Sequence, residues 1–296
     1  MQKKQQYALG FYLGYPLLWL LGWLPLVVLY RLSDLFFLLV TALGYRKKVI
    51  DKNLLMAFPE KSQKERATIR RRFYRHFADL FVETLILQHR KAEKIRRRVE
   101  VENFEVMENL LAQGRDVVAV SAHYGNWEWV PAASLGLQAL GTSVYRPLKN
   151  PYFDRFMLRL RSLYGSRNIP LKNVAREIVG FKRQNQRFIL GLISDQSPSK
   201  FELHYWTTFL TQDTPVILGP EKMARLAKAK VVYWQMDKIK RGRYRMRFVP
   251  YPGDEASDPE FAITEWHVRL LEAQIQQHPE YWLWSHKRWK YQHLKK

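Results

Sequence analysis

A histidine and a carboxylate stand five residues apart in His123-Tyr-Gly-Asn-Trp-Glu128. Imidazole exchanges protons near neutral pH. A carboxylate on one ring nitrogen fixes the tautomer and supports the charge that forms when the other nitrogen takes a proton. The pair follows a β-branched run, Asp116-Val-Val-Ala-Val-Ser121, which reads as a buried strand. Gly125 and Asn126 supply a turn, and Trp127 opens a helix expected to reach Leu140. His123 would therefore stand at a strand end, where open α/β sheets bind ligands. From the helix Glu128 could reach back to orient His123 as base for a substrate hydroxyl, which is triad logic without the serine. The amides at the helix start would receive charge on an acyl oxygen. Two fixed positions make a short pattern, and a loop histidine beside an unrelated glutamate fits it equally well.

Other chemistries are narrowed by absence. The chain has no cysteine, which removes disulfides, thiolate metal sites and a thiol nucleophile. It contains no G-x-S-x-G, no H-E-x-x-H and no G-x-x-x-x-G-K. Neither a metal nor a cofactor is expected.

The elements that must position the pair are legible in outline. Short strands are expected at Asp116–Ser121, Thr142–Tyr145, Arg187–Ser194 and Lys230–Gln235, with an edge strand at Tyr244–Pro250. Helical stretches lie between them, at Tyr152–Tyr164, Asn173–Asn185, Pro215–Ala229 and Asp258–His278. This alternation argues for an α/β fold with a mixed, largely parallel central sheet flanked by helices. Apolar residues make up 47% of the 296, enough for a substantial core.

Charge points to an anionic partner. Forty-nine Lys and Arg against 27 Asp and Glu give a net +22. Residues 61–98 hold 13 basic and four acidic side chains on an amphipathic helical pattern, which suits anionic headgroups. Lys238–Arg247, with six basic residues and no acid, reads equally as a docking face for an acidic carrier protein and as a solvated hairpin. The aromatic and basic C-terminal stretch from Tyr281 could stack on single-stranded nucleic acid. That reading leaves the N-terminus unexplained, and no nucleic-acid partner is expected. From Gln5 to Tyr30 there are 26 residues without a charge, rich in Trp and Tyr, long enough to span a bilayer. Leu35–Tyr45 is a second, shorter apolar stretch that reads as interfacial. The expected division is a membrane anchor with interfacial helix over 1–45 and a catalytic domain over 46–296. The basic residues after the run (Arg31, Arg46, Lys47, Lys48) mildly favour a catalytic domain facing the cytoplasm.

Several segments, in order, resemble the late acyltransferases of lipid A biosynthesis. They are LYRLSDLFFLLV after the aromatic N-terminus, GYRKKVIDKNLLMAFPEKS (Gly44–Ser62), HYGNWE as the family's His-x4-Asp/Glu motif, VYRPLKNPYFDRFMLRLR (Val144–Arg161), SDQ at Ser194–Gln196, TPVILGPEKMARLAKAKVV, and YWLWSHKRWK near the C-terminus. The resemblance covers nearly the whole chain. It implies acyl transfer from an acyl carrier protein thioester to a hydroxyl of a lipid A precursor, at the inner membrane. By the same likeness His123 is the general base and Glu128 its orienting acid, with Arg161 and Asp195 as further catalytic residues. Tyr145, Arg146, Asn126 and Gln196 are expected on the substrate side. One segment departs from the family: its third block often reads Asp-x-Asp-Tyr-Gly, whereas Asp195-Gln-Ser-Pro-Ser stands here. A different acceptor, such as a phospholipid or an amino-acid-containing lipid, is the alternative.

Overall fold

The computed structural model describes residues 2–295, and side chains from residue 7 onward. At its centre is a seven-stranded sheet in the order β1-β9-β8-β2-β5-β3-β4. Its strands are β1 (Val99–Glu102), β2 (Val117–Ser121), β3 (Leu140–Tyr145), β4 (Arg167–Pro170), β5 (Phe188–Ile193), β8 (Lys230–Lys240) and β9 (Arg243–Pro250). Every neighbouring pair is parallel except β8 with β9, which form an antiparallel hairpin. The mixed, largely parallel sheet is thus as expected. A separate two-stranded hairpin, β6 (Trp206–Phe209) and β7 (Gln212–Pro215), lies outside it.

Helices cover both faces, which is why β2 and β5 are apolar without alternation. They are α1 (Gln2–Trp23), α2 (Leu26–Ala42), α3 (Lys47–Ala57), α4 (Gln63–Leu85), α5 (Ala92–Arg96), α6 (Phe104–Ala112), α7 (Val130–Ala133), α8 (Pro151–Ser162), α9 (Val174–Arg183), α10 (Gly219–Ala227) and α11 (Ala262–Gln277). One core, with Val118, Val120, Leu190 and Phe188, lies against the side of α3, α9, α10 and α11. The other, with Val117, Ala119, Ile189 and Trp234, faces α6, α7 and α8. The long α4 serves both cores; it starts at a capping box in which Ser62 and Glu65 satisfy each other's backbone amides.

Three expectations are corrected. The strand Tyr244–Pro250 is not at an edge, since β1 (unrecognised in the sequence because its Val-Glu-Val-Glu is so short) pairs outside it. The helix expected from Trp127 to Leu140 shrinks to a 3₁₀ turn at Trp127–Trp129 and the four residues of α7, because Gly136 at φ +105° turns the chain into β3. The 26-residue uncharged run is divided at Pro25, which has no amide to continue the helix and opens α2 instead. Among the described residues no single helix is long and apolar enough to cross a membrane; α2 and α3 reach that threshold only as a pair bent by 85°. The expected interfacial stretch Leu35–Tyr45 is mostly the second half of α2. Both N-terminal helices pack on the body: Phe11 of α1 stacks on Tyr152 of α8, Tyr15 meets Phe156 of α8 edge-on, and Leu29 of α2 is fully buried.

Candidate active site

Adjacent parallel strands carry the residues that the chemistry needs. In the register of β2 with β5, Ser121 lies opposite Ile193, an offset of 72 residues. Two residues further along each chain the same offset sets His123 beside Asp195, and His123 Nδ1 and Asp195 Oδ1 are 2.7 Å apart. The second Asp195 oxygen accepts from the indole Nε1 of Trp282 at 2.8 Å. Burial pushes the Asp195 carboxyl up, but the His123 ring and the indole donor outweigh it and hold the group below the usual carboxylate range. Nδ1 is therefore the protonated ring nitrogen, and Nε2 is the one left to accept a proton.

Glu128 is not the partner of His123, contrary to the expectation from spacing. It sits on the 3₁₀ turn, and its carboxylate is held by Arg161 of α8, through Nη2 at 2.6 Å and Nε at 3.1 Å, with a third donor in the Trp127 indole at 3.1 Å. Burial disfavours the Arg161 charge, and the Glu128 carboxylate overcomes this to raise its pKa above the ordinary value. The correction has a simple cause. The expected contact presumed a regular helix from Trp127, and a 3₁₀ turn stands there instead. The regular helix whose first amides were expected to hold an oxyanion is likewise absent, and Arg161 is a cation on the wall of the cavity that holds His123.

His123, Glu128 and Arg161 share a cavity of about 590 Å³, in the range of small-molecule sites. Tyr145, Arg146 and Gln196 line it as expected. The Gln196 amide lies 3.5 Å from both ring nitrogens of His123. Arg146 is at the exposed rim, 3.4 Å from Glu202. Beyond the polar end, the walls are Val130, Pro131, Leu135, Leu137, Ile189 and Trp234. The space exists because the floor is made of small residues. Gly191 of β5 pairs with Ala119 of β2 on one side and Ser143 of β3 on the other, so no large side chain rises from that row.

Asn126 is absent from this cavity. It is fully buried and donates to Glu83 at 2.7 Å, so its expected role on the substrate side is corrected. The basic stretch Lys238–Arg247 is also reassigned. Lys238 and Arg241 pair with Asp79, and Arg245 and Arg247 pair with Glu100 and Glu102 of β1, so most of its charge is neutralised within the fold. Two residues of the site lie outside the expected set. Trp282 belongs to the aromatic C-terminal stretch, and the bridge between Tyr124 and Trp282 and the bond from Leu283 N to His123 O bring that stretch onto the loop that carries His123. Glu83 was lost in a helix read for its apolar face, although His76, Asp79 and Glu83 recur at helical spacing.

The family model for bacterial lipid A biosynthesis acyltransferases matches residues 2–291. The chain belongs to that family. It is an acyltransferase. The lipid A biosynthesis lauroyltransferase of Escherichia coli (strain K12) is 26% identical over 283 residues, covering 94% of this chain and 90% of that protein. The lipid A biosynthesis palmitoleoyltransferase of the same organism is 25% identical over the same share. The lipid A biosynthesis acyltransferase of Haemophilus influenzae is 23% identical over 290 residues, covering 95% of this chain and 87% of that protein. A distant likeness is the crystal structure of the 1-acyl-sn-glycerophosphate (LPA) acyltransferase PlsC from Thermotoga maritima, with TM-score 0.38 and 13% identity over 86% of this chain and 97% of that one.

Proposed function

We propose that this acyltransferase moves a fatty acyl group from an acyl carrier protein thioester to a hydroxyl of a lipid A precursor, with His123 as general base and Asp195, rather than Glu128, as its orienting acid. The observation that carries the mechanism is the bond from His123 to Asp195 at the mouth of an apolar cavity. The acceptor hydroxyl gives its proton to Nε2 as its oxygen bonds to the thioester carbon. Asp195 stabilises the imidazolium so formed. The tetrahedral intermediate then collapses, the carbon–sulfur bond breaks, and the departing sulfur takes the proton back from the ring. Glu128 occupies Nε and Nη2 of Arg161, which leaves Nη1 to meet the developing oxyanion or a phosphate of the acceptor. The apolar part of the cavity suits the acyl chain.

Membrane seating follows from the same surface chemistry. Leu13, Leu17, Leu20 and Trp23 of α1 and Val27, Leu35, Leu38 and Leu39 of α2 are exposed, large apolar side chains that water disfavours. The proposal is that these helices lie in the cytoplasmic leaflet of the inner membrane with their apolar sides in lipid. The cavity would then draw both substrates from that surface. Mass spectrometry of total lipids tests the reading in cells lacking the gene and complemented with wild type or His123→Ala. Loss of one acyl chain from lipid A, restored by wild type alone, supports it. An unchanged lipid A with loss from a phospholipid or aminolipid overturns the acceptor, and no change in any lipid overturns the activity.

A further inference from the structure

The catalytic turn is held by a buried carboxylate that the reaction itself does not use. Glu83 of α4 is fully buried, and three donors converge on it: Tyr30 of α2 at 2.8 Å on one oxygen, Asn126 and Tyr244 at 2.7 Å each on the other. Its backbone carbonyl accepts a fourth bond, from Trp129 Nε1 at 3.0 Å. One residue thus grips the chain at positions 126 and 129. Between these lie Trp127, whose ring meets His123 edge-on at 5.1 Å, and Glu128, which holds Arg161.

The turn is under unusual demand. Gly125 has φ +60°, and a Cβ there would stand 2.7 Å from the Met236 carbonyl. Its carbonyl accepts from His76 Nε2 at 3.2 Å, and the other nitrogen of His76 meets Lys238. Only glycine fits this conformation and this close approach. Burying a carboxylate is costly, and an apolar side chain of similar size would pack a purely structural site as well or better. Burial pushes the Glu83 carboxyl up, against the lowering effect of Lys238 and its own hydroxyl donors. The donors fit an acceptor with no proton of its own, and the amide of Asn126 is the one that comes from the catalytic loop.

We propose that Glu83 is a positioning residue for the acyl transfer: through Asn126 and Trp129 it fixes the turn that sets His123 and Glu128, and through Tyr30 it ties that turn to α2. The proposal rests on the reaction assigned above, and one arm of its test is independent of that reaction. Purified full-length Glu83→Gln, Asn126→Ala, their double variant and Tyr244→Phe are compared for kcat and KM toward an acyl carrier protein thioester, and for deuterium uptake at residues 124–129. Glutamine keeps the volume but offers one acceptor oxygen to three donors. Glu83→Gln and Asn126→Ala are each expected to lower kcat at least tenfold, with KM within threefold of wild type. The double variant is expected to lose no more than the worse single. Tyr244→Phe removes a donor to the same carboxylate from outside the loop and is expected to keep kcat within twofold. Uptake at 124–129 is expected to rise in Glu83→Gln and Asn126→Ala and to stay unchanged in Tyr244→Phe. Losses that multiply, or kcat falling equally in all three single variants, overturn the positioning role. Should wild type transfer no acyl group, the reaction assignment fails while the exchange data still decide whether Glu83 holds the turn; unchanged uptake overturns it.

Discussion

Asp195→Asn separates the two carboxylates of the site. In the wild type, Asp195 accepts the Nδ1 proton of His123 at 2.7 Å and the Trp282 indole at 2.8 Å. An asparagine oxygen can keep the indole bond, which turns the amide NH₂ toward the ring. Nδ1 must then accept, the ring proton moves to Nε2, and the nitrogen facing the acceptor hydroxyl can no longer take its proton. The buried negative charge that supports imidazolium is lost as well. General-base catalysis contributes roughly 10²–10⁴, and a neutral amide in the orienting position of a catalytic triad costs about the upper figure. A fall in kcat of roughly 10²–10⁴ is therefore expected, or about 3–5 kcal/mol of barrier at 1.36 kcal/mol per tenfold. The assay is single-turnover transfer from a labelled acyl thioester, with KM and the melting temperature as controls. His123→Ala and the double variant His123→Ala/Asp195→Asn complete a cycle, and the double is expected to be no slower than His123→Ala alone. Turnover by Asp195→Asn within threefold of wild type would refute the assignment. So would a cycle in which Glu128→Gln, rather than Asp195→Asn, is non-additive with His123→Ala.

Other consequences follow from named contacts. Glu128→Gln and Arg161→Ala are expected to lower kcat/KM by similar factors of about ten to a hundred, each removing a charge-assisted bidentate pair, and the double variant is expected to match the worse single in the same assay. Ala119→Leu fills the row of small side chains under the cavity; competition between thioesters of different length is expected to shift toward the shorter chain, at about 1–3 kcal/mol of stability measured by denaturant unfolding. His267 is buried with its pKa depressed to about 4, and burial lowers His76 as well, so the unfolded chain binds these protons first as pH falls. Stability is accordingly expected to be flat above about pH 6.5 and to decline below it, by about 3 kcal/mol from His267 alone on reaching pH 4; chemical denaturation across that range reads the slope. Leu17→Asp with Leu38→Asp is expected to abolish sedimentation with anionic vesicles while leaving the fold intact by circular dichroism.

Much of the scaffold was readable because it depends on local pattern. The short apolar runs at Val117–Ser121 and Phe188–Ile193 announce buried parallel strands, and His123 and Asp195 stand at corresponding ends of them. Their pairing was not readable, because register is set by the whole sheet and the two residues are 72 apart. The spacing of His123 and Glu128 suggested a contact that the folded chain does not make. Gly136 and the 3₁₀ turn remove the expected helix, and α8, from a distant stretch, brings Arg161 to Glu128 instead. Trp282 and Glu83 were hidden for a related reason: in sequence a tryptophan among aromatics, or an acid on a basic helix, looks like packing or a solvated face. Only the fold shows that one donates to Asp195 and the other grips Asn126.

Reconstitution with pure components bears most directly on the central claim that His123, oriented by Asp195, is the base for acyl transfer. Wild type, His123→Ala and Asp195→Asn are each incubated with an acyl carrier protein thioester and a lipid A precursor, and the precursor mass is followed over time. The expected result is a gain of one acyl chain with wild type and a fall in rate of at least a hundredfold in both variants. A gain of the same mass at near-wild-type rate in His123→Ala would contradict the account.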